Sequence, residues 1–259
     1  MGDHIETDTR DGVQRLRFSR PQKKNAISRA MYGALADAMA AGEASGEVGA
    51  HLFVGSGGVF TAGSDLNDFL ERGDAAAADG PVLRFLEALV AARKPLLAAV
   101  DGLAVGIGTT LLLHCDLVFA SPTVSLRTPF LDLGLVPEAA SSLLLAQRTG
   151  HPVAFEMLCL GTGLGAERAL AAGLVNAIVP AQTLEAHAHA AGAALARKPR
   201  EALLASRRLM RGDPELIRQR MREEFAHFTV RLGSPEAKEA IGAFMEKRPA
   251  DFAKFKANP

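Results

Sequence analysis

Short apolar runs recur along the chain, each closed by glycine, proline or a polar turn: HLFVG (51–55), LLAAV (96–100), LVFA (117–120) and LVNAIVP (174–180). Runs of this length between turn formers read as strands buried in a core. Helical patterns lie between them. Ser28 is placed to cap a helix through Met39, with Met31, Leu35 and Met39 at four-residue spacing. PVLRFLEALVAARK begins with Pro81 at a first-turn position and carries Val82, Phe85, Leu86 and Leu89 as a stripe until Pro95 ends it. GVQRLRFSR follows Asp11-Gly12, alternates polar and apolar with Leu16 and Phe18 on one face, and reads as the second strand of a hairpin. VSL is a further strand. SSLLLAQRTG, HPVAFEMLCL and AERALAAG are short helices, the first with Gly150 just past its end. RGDAAAADG (72–80) reads as a mobile loop. From about Leu184 strands vanish and charged amphipathic helices follow, so the chain is an α/β fold with a helical tail. The recurrence of strand, glycine turn and helix suggests a coil of similar units. The core is placed at residues 1–195 and the tail, which covers a site or makes a subunit interface, at 196–259.

The bulk numbers narrow the function. With 259 residues, 48% apolar and 22% charged, the chain can bury a large core. Its formal net charge is +0 with no lysine-arginine run, which argues against nucleic acid or an anionic membrane as main partner. Cys115 and Cys159 lie in apolar stretches, as buried thiols of a reducing compartment do. The polar N-terminus resembles neither a signal nor a transit peptide, KFKANP carries no peroxisomal address, and no apolar run reaches membrane-spanning length. A cytoplasmic protein is the expectation.

Two glycine-rich turns attract attention, FTAGSDL (60–66) and GLAVGIG (102–108), the second running into a helix opened by Thr109 and Thr110. Nucleotide binding fails: no third glycine completes GxGxxG, no acid follows at the required distance, and no Walker lysine is present. No metal motif occurs; His187 and His189 lie two apart on a helix and face different ways, as surface histidines. His114, in LLLHCD, reads as a core histidine. Ser64 lacks the GxSxG elbow of a hydrolase nucleophile. Two readings of the turns remain. Glycine lets the next N–H face outward, so the pair could form an oxyanion hole helped by the helix end; equally, both turns could simply end strands tightly.

RPQKKNAIS, FTAGSDLNDF, KPLLAAVDGLAVGIGTTLLLHCDLVFAS, TPFLDLGLVPEAASS, ERALAAGLVNAIVP and FMEKRPADF occur in this order. Together they resemble the crotonase (enoyl-CoA hydratase/isomerase) superfamily over nearly the whole chain. The resemblance implies a spiral of ββα units with a C-terminal all-helical region that builds homotrimers or hexamers. It implies an acyl-CoA thioester substrate, with coenzyme A part of that substrate and no separate cofactor or metal. The oxyanion amides carry over to Ser64 and Ile107, flanked by Gly63, Gly106 and Gly108. The CoA arm carries over to Ala62, Asp65 and Leu66 beside Lys24 and Ala26, with Phe244 and Lys247 from the tail.

Two acids of the hydratase pattern are absent: Thr110 and Phe130 stand where it has glutamates. Hydration needs one group to activate water and another to manage the proton, so losing both disables it. GLVPEAAS instead supplies Glu138, at the position where the family's delta-3, delta-2-enoyl-CoA isomerases and dienoyl-CoA isomerases hold their acid. The resemblance therefore implies an isomerase in fatty-acid degradation, with a single carboxylate moving a proton from C2 to C4. Burial near Leu133 and Val136 would raise its proton affinity. The plainer alternative for Glu138 is an acid serving a helix dipole. Asp132 and Glu156 read as structural. The competing functions are another reaction on the same fold, hydratase or dienoyl isomerase, and a non-catalytic CoA-binding scaffold.

Overall fold

Asp11 and Gly12 both have positive φ, 50° and 78°, which is what a two-residue hairpin turn of the right twist requires. They join β1 (Ile5–Arg10) to β2 (Val13–Phe18) in antiparallel register, Ile5 opposite Phe18. The computed structural model describes residues 4–67 and 80–255. Of the expected loop, 72–79 lies outside the described residues, and Gly80 is the residue before the next helix.

β2 pairs parallel with β3 (Ala50–Gly55), β3 with β4 (Leu96–Val100), β4 with β6 (Leu117–Ala120) and β6 with β9 (Ala177–Ile178). A parallel sheet must be covered on both faces, which explains runs without a polar face. Successive side chains point to opposite sides. Phe53, Leu96, Ala98 and Val100 meet one cluster, with α1 (Arg29–Ala44) and α2 (Pro81–Ala91). Leu52, Val54, Leu97 and Ala99 meet the other, under Leu184, Ala188 and Ala193 of a helix at Ala181–Ala196. Met31, Leu35 and Met39 of α1 are fully enclosed, each worth about 1.5–3 kcal/mol of burial. Ser28 caps α1 as expected, its Oγ accepting the Met31 N–H at 3.4 Å, but the helix runs five residues past Met39. The last strand is shorter than expected, Ala177–Ile178 alone.

A second sheet, ordered β5 (Leu103–Val105), β7 (Ser125–Arg127) and β8 (Leu164–Gly165), stands beside the first. β5 corrects the expectation of a plain turn over 102–108. Gly102, at φ 63°, steps the chain from β4 of the large sheet into β5, and the same step recurs from β6 to β7. Each unit then continues into a helix: α3 (Ile107–Thr110) after β5, α4 (Ser141–Thr149) after β7. This is the spiral of ββα units that the resemblance implies. α3 begins at Ile107, two residues before the expected start, and passes at once into a 3₁₀ turn, Leu111–His114. Then come α5 (His151–Leu158), α6 (Ala166–Ala171), α7 (the Ala181–Ala196 helix), α8 (Arg200–Arg211), α9 (Pro214–Leu232) and α10 (Pro235–Met245). No described helix is long and apolar enough to cross a membrane.

Candidate active site

The two glycine turns lie side by side. The Thr61 N–H donates to Leu103 O and the Val105 N–H to Thr61 O, both at 3.0 Å, so residue 61 extends the small sheet beyond β5. Gly63 packs so closely on Val105 that a Cβ there would sit 2.7 Å from the Val105 carbonyl oxygen. The first turn is clipped from outside by residues 24–27: Ala62 N–H donates to Lys24 O, Ile27 N–H to Gly63 O, and Asp65 N–H to Ile27 O. The last two bonds use the chain on either side of Ser64 and leave its own N–H pointing away from residue 27. Ile107 is the first residue of α3, after Gly106 at φ 54°, and a first-turn N–H has no intrahelical acceptor. Among the described residues neither N–H has a partner within the chain. Both Ser64 and Ile107 line a cavity of about 510 Å³, and Glu138 lines it with them.

Glu138 is half-buried and lines that cavity. Its Oε1 accepts the Thr110 hydroxyl at 2.6 Å, so the residue replacing one absent acid supports the acid that is present. Burial, opposed by that hydrogen bond and reinforced by the Glu224 charge, pushes the Glu138 pKa up to about 8. The amides at the start of the following helix do not bond the Glu138 carboxyl. α4 starts at Ser141, and the amides at its start go to Glu224 of α9, Ala140 N–H to Oε2 at 2.6 Å and Ser142 N–H to Oε1 at 2.9 Å.

The remaining expected residues divide. Ala62, Gly63, Asp65, Leu66, Gly106 and Phe244 line the cavity; Lys24, Ala26, Gly108 and Lys247 do not. Lys24 and Ala26 belong to the clip behind the first turn. Gly108 lets α3 approach Thr61, whose Cγ2 would lie 2.5 Å from an added Cβ. Asp65 is tied to Arg20 at 2.7 Å; burial alone would raise it, but the bonds from Arg20 and Asn67 hold its carboxyl below the ordinary range. Phe130 is buried in the wall, an apolar side chain where hydration would need an acid. Asp132, read as structural, lies on the cavity wall, whereas Glu156 pairs with Arg168. Ser64 Oγ is 2.7 Å from the Tyr32 hydroxyl, with no imidazole beside it among the bonds of the described residues. Cys115 is buried, its thiol raised to about 12 by that burial; Cys159 is only partly buried, short of the expectation. His187 packs edge-on to Phe119 at 4.8 Å.

Residues 8–255 match the enoyl-CoA hydratase/isomerase family. The chain belongs to that family, the crotonases. Enoyl-CoA delta isomerase 2 of Rattus norvegicus is 34% identical across 92% of this chain and 62% of its own length, so the chain spans about three-fifths of that relative. The 2,3-dehydroadipyl-CoA hydratase of Escherichia coli is 31% identical, across 92% of this crotonase and 93% of itself. Among solved structures, Pseudomonas aeruginosa OdaA superposes with a TM-score of 0.90 at 44% identity, covering 94% of this chain and 99% of its own. An enoyl-CoA hydratase/isomerase from Pseudoalteromonas atlantica gives 0.91 at 37%, covering 96% and 100%.

Glu224 was not legible as a site residue. Its one signal is register: Ile217, Met221 and Glu224 follow one another at helical spacing, so a carboxylate occupies a place on the buried stripe of α9.

Proposed function

We propose that this crotonase is a delta-3, delta-2-enoyl-CoA isomerase. What supports it is one acid, Glu138, lining the cavity that Ser64 and Ile107 also line, their amides without a partner among the described residues, with Thr110 and Phe130 where a hydratase needs glutamates. In the proposed reaction the thioester oxygen of a 3-enoyl-CoA accepts both amides. The Glu138 carboxylate takes a proton from C2, and the electrons of that C–H bond delocalise through C3 and C4 into a dienolate whose oxyanion the amides stabilise. The Glu138 carboxyl then returns its proton to C4, and the double bond lies between C2 and C3. A carboxyl with a pKa of about 8 both takes and returns a proton near neutral pH.

The test follows 3-enoyl-CoA conversion and crotonyl-CoA hydration in one assay. Rapid conversion with negligible hydration is expected; dominant hydration would transfer the chain to the hydratases, and no turnover with any enoyl-CoA would leave a CoA-binding scaffold. Thr110→Val is expected to raise the pH at which activity appears, because the bond favouring the charged form of Glu138 is gone. A pH–rate profile measures this.

The crotonase is further proposed to assemble as a homotrimer or hexamer through its tail, where Leu209 and Met210 of α8 and Leu216 and Val230 of α9 stand exposed. Sedimentation at micromolar concentration is expected to give a trimer or a multiple of it, and a monomer would rule this out.

A further inference from the structure

The segment bearing Glu138 is gripped from two sides by buried titratable side chains that the proposed proton transfer does not use. Ala139 and Ala140 have φ of 58° and 57°. That left-handed region is unfavourable for a residue with a Cβ, and two in succession persist only where the surroundings impose them. His114, at the end of the 3₁₀ turn that continues α3, is 2% exposed and its Nε2 lies 2.9 Å from Ala139 O. A carbonyl only accepts, so Nε2 carries the hydrogen and donates it. Burial lowers the His114 pKa to about 4, which keeps the ring neutral in this tautomer. From the other side Glu224, 7% exposed, accepts the Ala140 and Ser142 amides on its two oxygens. α4 has no side-chain cap at Ala140, so the carboxylate of a helix 82 residues further along the chain does the capping.

We infer that Glu224 and His114 are positioning residues: together they lock the Ala139–Ala140 turn so that Glu138 projects into the cavity beside the open amides of Ser64 and Ile107. This rests on Glu138 being the proton-transfer group. The two act differently. His114 ties the turn to the segment that begins with the Ile107 amide and also carries Thr110, so oxyanion donor and acid share one rigid support. Glu224 holds the turn and adds a negative charge that opposes ionisation of Glu138. Among the described residues, Arg148 and Arg211 act on His114, the Ser142 hydroxyl and Arg220 (one helical turn earlier) on Glu224, and the Thr110 hydroxyl on Glu138, while Asp132 and Arg248 line the same cavity.

Glu224→Gln, His114→Leu and His114→Gln, with Glu138→Gln as control, are compared in 3-enoyl-CoA isomerisation across pH. Glu224→Gln and His114→Leu are each expected to lose roughly 10²-fold in kcat with KM little changed, the effect of a misplacement near 1 Å. Glu224→Gln also moves the ionisation limb to lower pH, since a neighbouring charge has gone, while His114→Leu leaves the limb in place. His114→Gln, whose amide nitrogen reaches the same carbonyl, restores most of the rate. Parental kcat in both Glu224→Gln and His114→Leu, or a loss confined to KM or melting temperature, overturns the inference. Should Glu224→Gln fail to fold, the two His114 variants decide it. An active Glu138→Gln removes the proton-transfer assignment itself; an inactive one alongside fully active positioning variants removes only the inference.

Discussion

Glu138→Gln is expected to slow isomerisation of a 3-enoyl-CoA by about 10²–10⁴-fold, the usual contribution of a positioned proton-transfer group. The same substitution is expected to stabilise the folded chain at alkaline pH. Burial raises the Glu138 pKa to about 8, so the folded state holds this proton more tightly than the unfolded chain. The stability linked to that proton is complete below the unfolded carboxylate pKa of about 4.3 and is lost as pH rises through the folded value. Glutamine is neutral throughout and escapes the loss. Thermal melts of the two proteins should therefore diverge from about pH 4.3, where the unfolded carboxylate ionises, up to about pH 8, and stay apart above it, with the variant melting higher. A variant that is both active and no more stable at pH 9 would show that Glu138 neither transfers the proton nor resists ionisation. A residue that costs stability where it supplies activity is the usual trade at a reactive site.

Gly63→Ala is the second large effect. Gly63 has φ 88°, and its Cβ would come within 2.7 Å of the Val105 carbonyl, which is backbone and cannot swing aside. The strain of positive φ alone is about 1–2 kcal/mol. The clash adds to it by pushing residues 61–65 away from β5, and the Ser64 N–H, next in the chain, moves with them. Loss of one oxyanion donor typically costs 10²–10³ in kcat, so a fall of about that size is expected, along with a lower melting temperature. Gly106→Ala makes a useful comparison, because an added Cβ there meets nothing within 4 Å and only the backbone conformation, φ 54° with ψ −120°, opposes it. Parental kcat in Gly63→Ala would mean that the Ser64 amide does not grip the thioester oxygen.

Much of this arrangement was readable beforehand, for reasons that also mark where legibility ended. Phe53 and its neighbours Leu52 and Val54 serve opposite faces of one sheet, so the strand shows as a continuous apolar run. The Ser28 cap and the Asp11-Gly12 turn are local chemistry and stood as expected. Glu138, by contrast, was singled out through the GLVPEAAS resemblance; its surroundings lie far away in sequence. Leu103–Val105 escaped notice because three residues between glycines carry no periodicity. The left-handed Ala139 and Ala140 escaped because alanine is no turn former, and the bonds from His114 and Glu224 that meet this turn are brought in by tertiary packing.

The bonds from α9 to the start of α4 have an architectural corollary. The segment after Glu138 is not held by the spiral alone; two of its amides are bonded by a carboxylate of the helical segment. That helical segment's amphipathic surface can drift as sequences diverge, provided one carboxylate stays in register on the inward stripe, whereas shortening the chain ahead of Glu224 would leave Ser64 and Ile107 in place and the turn after Glu138 held from the His114 side alone.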